Sequence, residues 1–130
     1  MDIEHHDAFL NTIYRVLKSA TFDIKIDQYQ EECNKFENWA FITAWNPLPD
    51  ILSIEKNQSR NKKLQQDLDI LELKYSPAIG ISEDGNWSEE SFFIENCGLN
   101  KANELAAKYG QLAFVFGEKE QKATLHYTKF

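Results

Sequence analysis

Cysteine is scarce in this chain, basic residues are outnumbered, and no long apolar run occurs. The two cysteines, Cys33 and Cys97, are too few for a disulfide framework and form no Cys-x-x-Cys pair, so buried or half-buried free thiols are expected. Fourteen Lys and Arg stand against 21 Asp and Glu, a net charge of -7 with a pI near 4.9. That deficit excludes non-specific nucleic acid binding, which needs a surplus of cations to neutralise phosphates. No stretch approaches the roughly 18 to 20 uninterrupted apolar residues that a bilayer crossing needs. The acidic start, MDIEHHDAF, lacks the basic and apolar regions of a signal peptide. The expectation is a cytoplasmic protein with no membrane partner.

What is present suits one folded domain spanning residues 1–130. Of the 130 residues, 42% are hydrophobic and 13% aromatic, enough for a real core. Residues 7–20 carry Phe9, Ile13, Val16 and Ala20 at helical spacing and predict an amphipathic helix. TFDIKI alternates as a half-wet strand, and residues 27–37 read as a loop or short helical turn. WAFITAW is apolar on both alternating faces, the pattern of an interior strand, and Pro47 and Pro49 terminate it. A second helix runs from a cap at Asp50 or Ser53 to about residue 73. KYSPAIGIS and SFFIENC form strands around an Asp84-Gly85 turn. A third helix, with Asn100 as its N-cap, ends at Gly110, and QLAFVFG and ATLHYT close the chain as strands. Strand pairs between about three helices predict the α+β class with a mixed or mainly antiparallel sheet.

The middle helix has an anomaly. Leu64, Leu68 and Leu71 define its buried stripe, and extending that stripe backwards lands on Asn61, Arg60 and Asn57. A semi-buried Arg with two amides needs partners, because an unpaired buried charge costs on the order of 3 to 5 kcal/mol. Two arrangements meet that need. In one, Arg60 pairs with Glu89 or Glu90, and the asparagines tie down the Trp45-Asn46-Pro47 corner. In the other, Asn46, Asn57, Arg60 and Asn61 form the polar wall of a pocket whose aromatic wall is Trp45 or Trp87. Arg60 would then suit a carboxylate or phosphate, and the indoles a planar ring, which points to a small anionic or nucleotide-like ligand.

Other candidates carry less. Adjacent His5 and His6 point about 100° apart on a helix and cannot chelate one ion, so no metal and no cofactor is expected. His126 reads as an exposed strand residue. Glu89 and Glu90 face opposite sides of a strand, which separates them as an acid/base pair. Ser91 has no neighbouring histidine, neither cysteine has an evident base, and no glycine-rich phosphate loop is present. Lys56, Arg60 and Lys63 share a helical side, the usual pattern of a solvated strip.

FITAWNP, then Ser53, Asn57 and Arg60, then W.EESF, and finally A..LA..YGQLAFVF resemble the bacterial domain of unknown function 3293 family from about residue 20 to 117. The resemblance places its signature on Trp45, Asn46, Pro47, Ser53, Asn57, Arg60, Trp87, Glu89, Ser91, Phe92 and Gln111. It implies no reaction, but the polar signature coincides with the anomalous half-stripe. Leu48-Pro49 and Glu90 stand at positions where that pattern varies.

The expected function is a non-catalytic ligand- or protein-binding module with its site around Trp45, Asn46, Asn57, Arg60, Asn61, Trp87, Glu89 and Gln111. The alternative is an enzyme acting on a nucleotide or another phosphorylated small molecule, with Arg60 stabilising charge and Glu89 as general base. A third possibility is an interaction subunit pairing through the edge strand ATLHYT.

Overall fold

The computed structural model describes residues 3–47 and 50–130, with side chains from His6 onward. The expectations for Pro49 and His5, and the Leu48-Pro49 variation, lie outside the described residues or side chains. Among the described residues three helices, α1 (Ile3–Asn11), α2 (Ile54–Ile70) and α3 (Leu99–Lys108), accompany seven strands. The strands are β1 (Ile13–Val16), β2 (Phe22–Ile24), β3 (Asn38–Ile42), β4 (Tyr75–Ile81), β5 (Ser88–Glu95), β6 (Ala113–Glu118) and β7 (Thr124–Tyr127). They form one sheet in the order β2-β1-β4-β5-β3-β6-β7 with every pairing antiparallel. This is the α+β class.

The sheet is apolar on both faces because two separate cores need it. Ala40, Ile42, Phe92, Ile94, Phe114 and Phe116 pack under α2 and α3 with Leu64, Leu68 and Leu105. The alternate residues Trp39, Phe41, Phe93 and Val115 face the other way, where the curled sheet brings Val16, Phe22 and Ile24 over them. Alternation along each strand assigns the faces. As expected, β3 is an interior strand, flanked by β5 and β6. It ends at Ile42, and the N–H groups of Ala44 and Trp45 donate to side chains instead.

Four local expectations are corrected. Residues 7–20 are not one helix: α1 stops at Asn11, where the Thr12 hydroxyl donates to Ala8 O at 2.6 Å, and Ile13 begins a strand. Pairing with both β2 and β4, which buries Tyr14 and Val16, overrides the helical spacing. Leu71 is exposed at the C-cap of α2, whose buried stripe is Asn57, Asn61, Leu64 and Leu68. Gly98, not Asn100, occupies the N-cap of α3, its carbonyl accepting from Ala102 N at 2.9 Å. His126 is half-buried, its ring stacked on Phe114 at 5.6 Å, and burial lowers its pKa.

Elsewhere the local chemistry follows the residues. Ser53 caps α2, its hydroxyl accepting from Lys56 N at 3.2 Å. Residues Glu31–Lys35 form a 3-10 turn. Gly110, at φ 68°, takes the left-handed conformation that ends α3. Both cysteines are buried and free, and burial pushes the thiol of Cys33 up to about 12 and that of Cys97 to about 11. Among the described residues no helix is long and apolar enough to cross a membrane.

Candidate functional site

The polar residues of α2 turn inward to the chain itself. Asn57 Oδ1 accepts from Asn46 N at 2.8 Å, and its Nδ2 donates to Asn46 Oδ1 at 2.8 Å and to Leu52 O at 3.3 Å. Asn61 Oδ1 accepts from Ala44 N at 2.8 Å while its Nδ2 donates to Glu90 O at 2.7 Å. Arg60 pairs with neither Glu89 nor Glu90. Its Nε donates to Ala44 O at 2.8 Å and a terminal nitrogen to Tyr109 O at 2.5 Å. Gln111 Nε2 reaches the carbonyls of Trp45 and Tyr109, both at 3.2 Å. After β3 leaves the sheet its backbone groups have no ladder, and these side chains supply the missing partners. Asn46 at φ 44° is the left-handed corner they hold.

A cleft of about 730 Å³ opens on the opposite face of the sheet. There the inward residues of β1, β3, β4, β5 and β6 leave a gap that the hydrophobic cluster does not fill. Tyr14, Phe41, Val115 and Leu125 line its apolar surface, Thr43, Ser91 and Glu89 its polar surface, and Ala8 and Phe9 of α1 close one side. Helix α1 is held there by Tyr14, whose hydroxyl donates to Phe9 O at 3.0 Å, and by the 2.7 Å bond between His6 Nδ1 and the Tyr127 hydroxyl. Buried Trp45 is an inner wall; Trp87, 48% exposed, stands at the mouth. The β4–β5 turn that carries Trp87 is built by Asp84, whose Oδ1 accepts from Asn86 N at 2.9 Å and from the Ser82 hydroxyl at 2.7 Å.

The eight residues singled out in the sequence therefore divide. Trp45, Asn46, Trp87, Glu89 and Gln111 line the cleft; Asn57, Arg60 and Asn61 lie on the helix side, bonded to backbone and to Asn46. Tyr14, Phe41, Gly80 and Leu125 were not singled out. Tyr14 was hidden by the helical reading of residues 7–20, although Tyr14 and Val16 also fit strand alternation.

Glu89 is the polar group with chemical potential. It sits opposite Gly80 in the β4–β5 register, and Glu90 points to solvent. Its carboxyl makes no side-chain hydrogen bond or ion pair among the described residues, and burial alone pushes its pKa up to about 7. A carboxyl carbon titration should therefore show a midpoint near pH 7; a midpoint near the ordinary value, about 4.3, would mean the carboxyl is hydrated. Because the folded state holds this proton more tightly than the unfolded chain, the ionised carboxylate costs stability as pH rises from about 4.3 through 7. Glu89→Gln should match the wild type at low pH. At pH 8 it should exceed it by on the order of 1 to 3 kcal/mol in denaturant unfolding.

A family model described as a protein of unknown function (DUF3293) matches residues 42–114, more than half of the 130-residue chain. The matched span holds the α2 side chains and the Trp45, Gly80 and Glu89 walls, while α1, Tyr14 and Leu125 lie outside it. No curated protein and no solved structure matches the chain.

Proposed function

From the premise that the chain belongs to the DUF3293 family, we propose that it is a small-molecule binding module whose site is the cleft on the α1 side of the sheet. The observation that carries this reading is the contrast between the two faces. One is filled by α2 and α3; the other keeps about 730 Å³ open, a volume typical of ligand sites, between aromatic walls and the Glu89 carboxyl, which is unpaired among the described residues. The side chains of Asn57, Arg60 and Asn61 support the site by fixing the Trp45-Asn46 wall from behind. Support for the alternative, an enzyme acting on a phosphorylated compound, reduces to Glu89 as a general base, because Arg60 is engaged by two carbonyls.

The test is a fragment screen followed by two-dimensional amide spectra. Shifts are expected at Gly80, Glu89, Ser91 and Ala113; binding confined to the α2–α3 face would overturn the proposal. Gly80→Ala sharpens it. A Cβ there would lie 3.8 Å from Thr12 Cγ2 and 4.0 Å from Glu89 O, ordinary contacts that place a methyl group inside the cleft. The variant should gain about 0.5 to 1 kcal/mol of stability from reduced chain entropy. It should also bind fragments roughly tenfold more weakly, since one crowded methyl costs about 1 to 3 kcal/mol. Unchanged affinity would place the ligand elsewhere.

A further inference from the structure

We infer that the cleft takes an organic cation, a protonated amine joined to an apolar and preferably aromatic body, with the Glu89 carboxylate as its counterion. This inference rests on the binding reading above and adds the sign of the ligand. Asp50, Glu83, Asp84 and Glu89 line the cleft, and among the described residues no Lys, Arg or His lines it. An anion entering would meet like charge from these described residues, and a neutral ligand would leave Glu89, once ionised, desolvated without a partner. A cation removes both penalties. Aromatic groups on several sides, Tyr14, Phe41, Trp45 and Trp87, favour the same choice, because ring faces attract ammonium groups in water-poor surroundings. A bare metal ion fits less well, since no group of three metal-ligating side chains occurs among the described residues.

The charged and titratable groups facing Glu89 are few. Tyr14 comes from β1, and burial raises its phenol pKa out of reach of neutral pH. Glu83 and Asp84 come from the β4–β5 turn, and Asp50 from the segment before α2. Among the described residues, those of α1, β6 and β7 that line the cleft contribute no titratable group. Cation binding should therefore follow the ionisation of Glu89, strengthening as pH rises to about 7 and levelling above it.

Three probes of one shape separate the outcomes: 2-phenylethylammonium, 2-phenylethanol and 3-phenylpropanoate, each titrated by amide shifts at pH 5 and pH 8. The ammonium is expected to bind roughly tenfold tighter than the alcohol at pH 8, with most of that advantage lost at pH 5. Glu89→Gln should remove the advantage; an ammonium that keeps its full advantage over the alcohol in that variant overturns the inference. An alcohol or carboxylate that binds the cleft as tightly as the ammonium at pH 8 overturns the cation inference but leaves the binding site standing. If none of the three perturbs the cleft while other fragments do, the cation inference falls alone. If no fragment perturbs it, both fall.

Discussion

Asn57→Asp should cost about 3 to 5 kcal/mol in denaturant unfolding at pH 7, although it changes one atom type and almost no volume. Asn57 is 1% exposed, and both ends of its amide are in use. The Asn46 N–H requires an acceptor and the Leu52 carbonyl requires a donor, so the amide orientation follows from the backbone. Aspartate keeps the acceptor for Asn46 N. Its second oxygen, however, faces the Asn46 side-chain oxygen and the Leu52 carbonyl, where the amide donated. Either a charge is buried against two acceptors or the residue takes up a proton to fold. The variant should consequently lose further stability as pH rises, since the buried carboxyl has a raised pKa. Asn57→Ala should lose about 2 to 3 kcal/mol with no such pH dependence. A neutral Asn57→Asp result would mean that the corner is held from elsewhere.

Gly117→Ala should cost about 3 kcal/mol, the upper end for overpacking. Gly117 is buried in β6 directly opposite Trp39, and a Cβ there would overlap the Trp39 indole. The ring is 1% exposed and stacked on Phe93 at 5.5 Å, with Phe36 against the other member of that pair. It cannot move away without displacing the core between the sheet's curled halves. The near-UV circular dichroism of the variant should change along with its unfolding midpoint. A smaller partner should relieve the overlap, so Trp39→Phe combined with Gly117→Ala is expected to lose less than the sum of the single changes. Strict additivity would show that the two positions do not compete for space.

The interior strand could be read from WAFITAW because its apolar residues occupy both alternating faces, and two cores demand that. The α2 amides could be singled out because polar residues interrupted a stripe whose period was clear. Their targets could not, since backbone groups of Ala44, Leu52, Tyr109 and Glu90 have no side-chain signature in a sequence. Arg60 suggested an acidic partner and found carbonyls for the same reason. The helical reading of residues 7–20 fails because Val16 fits helical spacing with Phe9 and Ile13 and strand alternation with Tyr14, and only sheet neighbours on both sides separate the two.

The sequence by itself determined the α+β class, the presence of the middle helix, the turn at Asp84-Gly85 and the need of Asn57 and Asn61 for hydrogen-bond partners, all of which depend on local spacing or residue chemistry. Tertiary structure decided which face carries an opening. The curl of the sheet brings Tyr14, from one strand pair, near Glu89 and Leu125 from distant parts of the chain, and leaves a volume that no single segment encodes. It also decided the chemistry of Glu89. A glutamate and the exposed glutamate beside it are identical as residues, and only enclosure on one face of a strand pushes one of them up to about 7.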